Sequence, residues 1–136
     1  MPANDSARVR GNELLVMGTE GFRELRVWQR AKALAVAVYR VTSKGSLARD
    51  LALRDQLRRA AVSVPSNIAE GDERDTNKDS VRFLYIAKGS LAELRTQLEI
   101  ACEIGALDKT VYQNLEAESA ELGRMLGSLI KARSAD

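Results

Sequence analysis

The amino-acid sequence predicts an all-α protein, specifically an antiparallel up-down four-helix bundle with a proline-kinked second helix. Hydrophobic residues make up 45% of the 136 residues, whereas aromatic residues make up 4% and two residues are proline. This composition, rich in alanine, leucine, glutamate and arginine, favours helix over sheet. Apolar residues recur at spacings of three, four and seven, and no stretch alternates with the period of two that is typical of a strand.

Residues 1–21 have no sustained apolar period and are predicted to form a flexible N-terminal tail. Residues 22–136 are predicted to form the four-helix bundle domain. A chain of this length buries roughly two-thirds of its unfolded surface, so one continuous core is feasible.

The first helix is predicted over residues 22–42. One face carries apolar side chains three or four positions apart, at Leu25, Trp28, Ala31, Ala35 and Val38. Residues 33–39 are apolar on every side, and a helix of that kind must be covered on every side. This stretch therefore indicates a subunit interface.

Residues 43–46 are predicted to form a loop, and the second helix begins near Leu47. Pro65 lies in its middle, which leaves two interpretations: one kinked helix that ends near residues 71–74, or two helices that meet at Val64. The apolar period stays in phase across Pro65 and favours the kinked helix.

Capping signals delimit the last two helices. Thr76 and Asp79 have the spacing of a capping box at the start of the third helix, and Gly105 is placed to end it in a left-handed cap. Asp108 is the predicted N-cap of a fourth helix that extends to about residue 131. Leucines recur every seven residues, at Leu84, Leu91 and Leu98 and again at Leu115, Leu122 and Leu129.

The residue inventory argues against enzymatic chemistry. The chain contains no histidine, which removes the commonest general base and the commonest metal ligand. Cys102 is the single cysteine and is expected to be an inert thiol. No glycine-rich phosphate loop or zinc spacing is present. We therefore expect no catalytic residues, metal or cofactor.

Compartment signals point to the cytoplasm. One cysteine permits no intramolecular disulfide and is typical of a reducing environment. No apolar run approaches 18 residues, and the N-terminus lacks the pattern of a signal peptide. We expect a cytoplasmic protein without membrane contact.

Basic residues are concentrated in the first half of the bundle. Residues 22–60 carry ten lysines and arginines against three acidic residues, whereas residues 61–136 carry nine against thirteen. The candidate nucleic-acid-binding residues are Arg23, Arg26, Arg30, Arg54 and Arg58, which lie three or four apart on the first two helices. The alternative interpretation is that they pair with the acidic second half, within the bundle or across subunits.

Three sequence blocks carry a family resemblance. Residues 58–71 (RRAAVSVPSNIAEG), residues 83–94 (FLYIAKGSLAEL) and residues 27–31 (VWQRA) resemble the four-helix-bundle family of the bacterial 23S rRNA intervening-sequence protein. The resemblance covers residues 22–131. It fails over residues 43–50, where the family usually has a Phe-Pro pair and a glutamate, so the loop conformation is expected to differ there.

The resemblance implies a kinked second helix and a homopentamer. A related branch, the accessory variability determinant of diversity-generating retroelements, is a basic pentamer that associates with a reverse transcriptase and nucleic acid. This branch supports RNA or DNA as a partner of the arginines. Most members of the family have no established role.

The motif residues are interpreted structurally. They are Pro65, Ser66, Asn67, Glu70 and Gly71. Ser63, Ser66 and Asn67 are expected to bond backbone groups freed by the kink, and Glu70 to pair with an arginine. Gly71 is expected to supply a left-handed helix exit.

Two further residues, Gly89 and Ser90, are expected to let two helices approach closely.

The leading functional hypothesis is a non-catalytic homo-oligomer that acts as a scaffold or nucleic-acid-binding accessory. The alternative is a protein-binding adaptor that makes no contact with nucleic acid.

Overall fold

A computed structural model describes residues 21–135, and the regular secondary structure of this part of the chain is entirely helical, without strands. Its elements are a 3-10 turn (Gly21–Glu24) and the α-helices α1 (Arg26–Val41), α2 (Gly45–Arg49), α3 (Leu51–Asp72), α4 (Asn77–Glu103) and α5 (Lys109–Ser134). The predicted all-α class is therefore confirmed. The predicted flexible tail, apart from Gly21, lies outside the described residues.

The N-terminal end of α1 differs from the prediction of one helix from residue 22. Leu25 has an extended backbone, with φ −73° and ψ 123°, and separates the 3-10 turn from α1. This conformation accompanies burial of the Leu25 side chain, which is 1% exposed. Burial of one large apolar group outweighs the loss of helical continuity at this position.

The predicted loop over residues 43–46 is partly wrong, because α2 begins at Gly45. Gly45, the first residue of this short helix, has a positive φ of 66°. The helix buries the Leu47 side chain in the core. Asp50 then ends α2 and caps α3, since its carboxylate accepts a hydrogen bond from the Leu53 N–H at 3.1 Å. The second long helix therefore begins at Leu51 rather than Leu47.

Helix α3 runs through Pro65 without interruption, so the two-helix interpretation is wrong. Pro65 cannot donate to the carbonyl of Ala61, four residues before it. The buried face of α3 nevertheless continues on both sides of the proline, with Leu57 and Ala61 before it and Ile68 after it.

The predicted caps of the last two helices are confirmed. Thr76 Oγ1 accepts a hydrogen bond from the Asp79 N–H at 3.1 Å. Gly105 has a φ of +79° and ends α4 in a Schellman motif, in which the Ala106 N–H donates to the Ala101 carbonyl at 2.8 Å. The Asp108 carboxylate caps α5, which continues three residues beyond the predicted end.

The four long helices share one hydrophobic core. Helix α3 packs against α4, α4 against α5, and α1 against both α3 and α5. The leucines predicted from the seven-residue repeats are buried in this core: Leu84, Leu91, Leu98, Leu115, Leu122 and Leu129.

Three helices meet at a buried ion pair that the sequence analysis did not predict. Arg133, near the end of α5, donates to Asp72 Oδ1 at 2.9 Å and to Ser80 Oγ at 2.6 Å. Asp72 ends α3 and Ser80 lies in the first turn of α4, and all three side chains are buried. The contact therefore joins one end of α5 to the connection between α3 and α4.

Gly71 lies beside this ion pair, within α3, and the predicted left-handed exit at this residue is wrong. A Cβ atom here would lie 3.0 Å from the Ser80 carbonyl oxygen and 3.2 Å from Phe83 Cβ. Gly71 thus permits the close approach that we predicted for Gly89. At Gly89 a Cβ would meet no atom within 4 Å, so that expectation is wrong within the described chain.

We predict opposite effects of alanine at these two glycines. Gly71→Ala should lower the free energy of unfolding by about 1–2 kcal/mol, because overpacking against a backbone oxygen outweighs the gain in helix propensity. Gly89→Ala is the matched control and should raise it by about 0.5–1 kcal/mol. Urea denaturation followed by circular dichroism, at one protein concentration, measures both values. Equal effects would contradict the close approach at Gly71.

Candidate binding surfaces

Residues 21–135 contain no cluster of three or more histidine, cysteine or acidic side chains that could hold a metal ion. Cys102 is a half-buried free thiol on α4. No helix in this range is long and apolar enough to cross a membrane. The features with recognisable binding chemistry are surface arginines and an apolar groove.

Three of the predicted arginines lie at the N-terminal end of α1. Arg23, Arg26 and Arg30 are exposed. The Arg23 guanidinium lies over the Phe22 ring at 4.8 Å, and Arg30 makes an ion pair of 3.1 Å with Glu118 on α5. Exposed ion pairs of this kind contribute about 0–1 kcal/mol, so a phosphate could compete for Arg30. We refer to these three exposed arginines as the cationic cluster.

The other two arginines make local contacts near the opposite end of α1. Arg54 pairs with Asp55 at 3.1 Å. Arg58 donates to Thr42 Oγ1 at 2.9 Å and to Ser43 Oγ at 3.1 Å. Its guanidinium also lies 4.4 Å from the centre of the Tyr39 ring. Arg58 thereby binds the hydroxyl groups that follow the last turn of α1.

The five arginines do not form one continuous stripe. Arg30 and Thr42, the residue that Arg58 contacts, are separated by about 18 Å along the helix at 1.5 Å per residue. Arg30 also faces α5, whereas Arg58 reaches α1 from α3. The structure therefore separates Arg23, Arg26 and Arg30, which lie near the start of α1, from Arg54 and Arg58 on α3.

An apolar groove runs between α1 and α3. Its side chains, which define the α1–α3 groove, are Lys32, Ala35, Val36, Tyr39, Arg40, Ser43, Val62 and Pro65. Val36, Tyr39 and Val62 are 41%, 43% and 42% exposed, respectively. The groove therefore presents a continuous apolar surface to solvent. The apolar stretch at residues 33–39 signalled its α1 side, whereas Val62 had no comparable signal.

The motif around Pro65 makes polar contacts on the side of α3 that faces α4. Asn67 Nδ2 donates to the Ser63 carbonyl at 2.8 Å, and the hydroxyls of Ser63 and Ser90 lie 2.7 Å apart. The Asn67 bond reaches Ser63 rather than the Ala61 carbonyl that the proline leaves without its helical donor. Ser66 is exposed beside Val62 and has no side-chain hydrogen bond within the described chain.

Ion pairs hold other charged residues of the second half. Glu70 pairs with Arg74 at 2.6 Å, as predicted. Arg95 on α4 makes two hydrogen bonds with Glu116 on α5, one of them 3.2 Å long from Nε. The hydrogen bond that Arg95 donates to the Glu116 carboxylate raises the pKa of Arg95 above its ordinary value. Glu70 and Glu116 are thus paired with arginines that do not belong to the cationic cluster.

The contacts of Arg58 predict a structural role that its neighbour lacks. Arg58→Ala should lower the free energy of unfolding by about 1–2 kcal/mol, because it removes hydrogen bonds to Thr42 and Ser43 and the stacking on Tyr39. Arg59→Ala removes the same charge from an exposed side chain and should change stability by less than about 0.5 kcal/mol. Thermal or urea denaturation measures the difference. Equal stabilities of the two variants would contradict this role.

Comparison with known proteins places the chain in a family. The family model described as 23S rRNA-intervening sequence protein matches residues 23–128. No curated protein matches the chain. The chain is similar to the crystal structure of a protein of unknown function from the S23 ribosomal protein family of Bacteroides thetaiotaomicron. The TM-score is 0.71 at 22% identity, over 77% of this chain and 98% of that chain, which shows a shared fold. Because the family model spans most of the sequence, the chain belongs to the 23S rRNA-intervening sequence protein family.

Proposed function

We propose that the protein is a non-enzymatic scaffold that assembles from several copies of itself through the α1–α3 groove. The observation that carries this proposal is the exposure of Val36, Tyr39 and Val62 around one apolar groove. A contiguous apolar surface of this kind is typical of an interaction site rather than of a monomer's solvated face. The family resemblance favours five copies, and the single cysteine favours the cytoplasm as their compartment.

The proposed scaffold unit is an up-and-down four-helix bundle. Contacts between consecutive long helices pair positions in reverse order, as expected of antiparallel neighbours. Ser63 meets Ser90 on the α3–α4 pair, while Arg95 meets Glu116 and Ser80 meets Arg133 on the α4–α5 pair. Pro65 is proposed to bend α3, because it removes a backbone hydrogen bond on the side that forms the groove.

The groove should be sensitive to a buried charge if it is a subunit interface. We predict that Val36→Glu or Val62→Glu converts the assembly to smaller species, because a carboxylate would lose its hydration in the interface. Analytical ultracentrifugation should show a lower sedimentation coefficient with unchanged helical content.

Ala33→Glu is the matched control, since Ala33 is an exposed residue of α1 that does not line the groove. It should leave the assembly intact. A wild-type protein that sediments as a monomer would refute self-assembly, and an assembly that tolerates both groove variants would refute the groove as its interface.

A second candidate function is contact with nucleic acid through the cationic cluster. Arg23, Arg26 and Arg30 are exposed, and none of them lines the groove. Exposed guanidinium groups of this kind can bind backbone phosphates without reading the base sequence. Binding and self-assembly would therefore use separate surfaces.

This separation predicts that the two activities respond to different substitutions. Arg26→Ala combined with Arg30→Ala should weaken binding to a labelled single-stranded RNA by about tenfold or more and reduce its salt dependence. The same variant should sediment like the wild-type assembly.

Arg124→Ala removes one exposed arginine of α5 and is the control for each single variant, Arg26→Ala or Arg30→Ala, which lowers the net charge by the same amount. It should affect RNA binding far less than either of these variants. Wild-type protein that binds no RNA at low salt would refute the nucleic-acid function and favour a protein-binding adaptor.

A further inference from the structure

A second exposed apolar surface lies on the outer side of α4. Ile100, in the last turn of α4, and Ile104, its C-cap residue, are 48% and 61% exposed. Glu93 and Glu103 lie seven and three positions from Ile100, so they share its side of the helix. These four residues define the α4 patch.

The rim charges of the two apolar surfaces have opposite sign. Lys32 and Arg40 line the α1–α3 groove. Arg59 adjoins Val62 at its end, beside Asp55, whose carboxylate is paired with Arg54. Among the described residues, the side chains lining the groove include no carboxylate. The α4 patch carries Glu93 and Glu103 instead.

These rim charges lack ion-pair partners within the described chain. Arg40 and Arg59 make no salt bridge there, and Lys32 contacts the Trp28 ring at 5.0 Å. Glu93 and Glu103 also make none, whereas Glu116, Glu118 and Glu121 are each paired with an arginine: Arg95, Arg30 and Arg124. Both apolar surfaces thus keep unpaired charge at their edges.

The groove and the patch cannot meet within one chain. The groove opens between α1 and α3, whereas the patch faces outward from α4, which packs against α3 and α5. A contact between the grooves of two copies would bring Lys32 and Arg40 of both copies together. A contact between two α4 patches would place the glutamates of one copy against those of the other. Like-charge contacts oppose both symmetric arrangements, and opposite charges favour groove against patch.

We propose that the α1–α3 groove of one copy receives the α4 patch of a second copy, in a head-to-tail contact. This inference rests on the proposed self-assembly and adds the identity of the complementary surface. Ile100 and Ile104 fill the groove between Val36 and Val62, while Glu93 and Glu103 approach the basic rim. Such a contact is heterologous, so every copy offers one groove and one patch to its neighbours.

Cysteine cross-linking of the full-length chain tests this arrangement. In a Cys102→Ser background, a chain carrying both Val36→Cys and Ile104→Cys should give a ladder of covalent oligomers with a short bismaleimide. Either cysteine alone should give no covalent dimer, because the two positions meet only each other. Val36→Cys combined with Tyr85→Cys is the matched control and should give no ladder, since Tyr85 is an exposed α4 residue outside the patch.

The outcomes separate this inference from the proposed function. Dimers from Val36→Cys alone would show a symmetric groove contact and overturn the head-to-tail arrangement while keeping the assembly. An intact assembly that gives no ladder with both cysteines would also overturn it. Monomeric wild-type protein would refute the self-assembly itself, and this contact with it.

Charge exchange provides an independent readout. Arg40→Glu and Glu103→Arg should each weaken association about tenfold, and the double variant should recover most of that loss, because it restores an opposite-charge pair. Sedimentation over a range of protein concentrations measures the association constant. Losses that simply add in the double variant would overturn the pairing of groove and patch.

Discussion

The buried ion pair between Asp72 and Arg133 is the constraint on which the arrangement of α3, α4 and α5 depends. Removing two charges from water carries a penalty of several kcal/mol per ion, which good geometry and further hydrogen bonds must offset. Arg133 meets this requirement by binding Ser80 as well as Asp72. A displacement of any of the three helices would leave a buried charge without its partner, so their relative position is narrowly defined.

Close packing at Gly71 reinforces the same junction. The absence of a side chain there lets α3 approach the backbone of α4 at Ser80, the residue that also binds Arg133. Close packing at Gly71 and the ion pair of Arg133 therefore both fix the position of α4 at Ser80. The outer parts of the molecule have fewer such constraints, and the α1–α3 groove and the α4 patch lie there.

The sequence predicts this fold well wherever the signal is local. Leucines repeated every seven residues identify α4 and α5, and short polar residues identify their caps at Thr76 and Asp108. The ion pair could not be predicted, because Asp72 and Arg133 are 61 residues apart and neither lies in a distinctive pattern. The short helix α2 was missed because its stability comes from burial of Leu47, a tertiary contact.

For the candidate surfaces too, the sequence predicts what lies within one helix and not what two helices form together. Spacing along a helix places Arg26 and Arg30 four residues apart on α1, but it cannot reveal that Arg58 turns towards the end of α1. The groove requires Val36 and Val62 from different helices, and the sequence signals only the first of them. Patterns within one helix were therefore informative, whereas surfaces composed of two helices needed the structure.

The hydrogen bonds of Arg58 have a consequence for the order of folding. Thr42 and Ser43 at the end of α1 are bound by a side chain 16 and 15 residues later in the sequence. Arg58 follows α1 in the chain, so the side chain that binds these two hydroxyls leaves the ribosome after α1 itself. We therefore expect the last turn of α1 to reach its full stability only when α3 has docked against it.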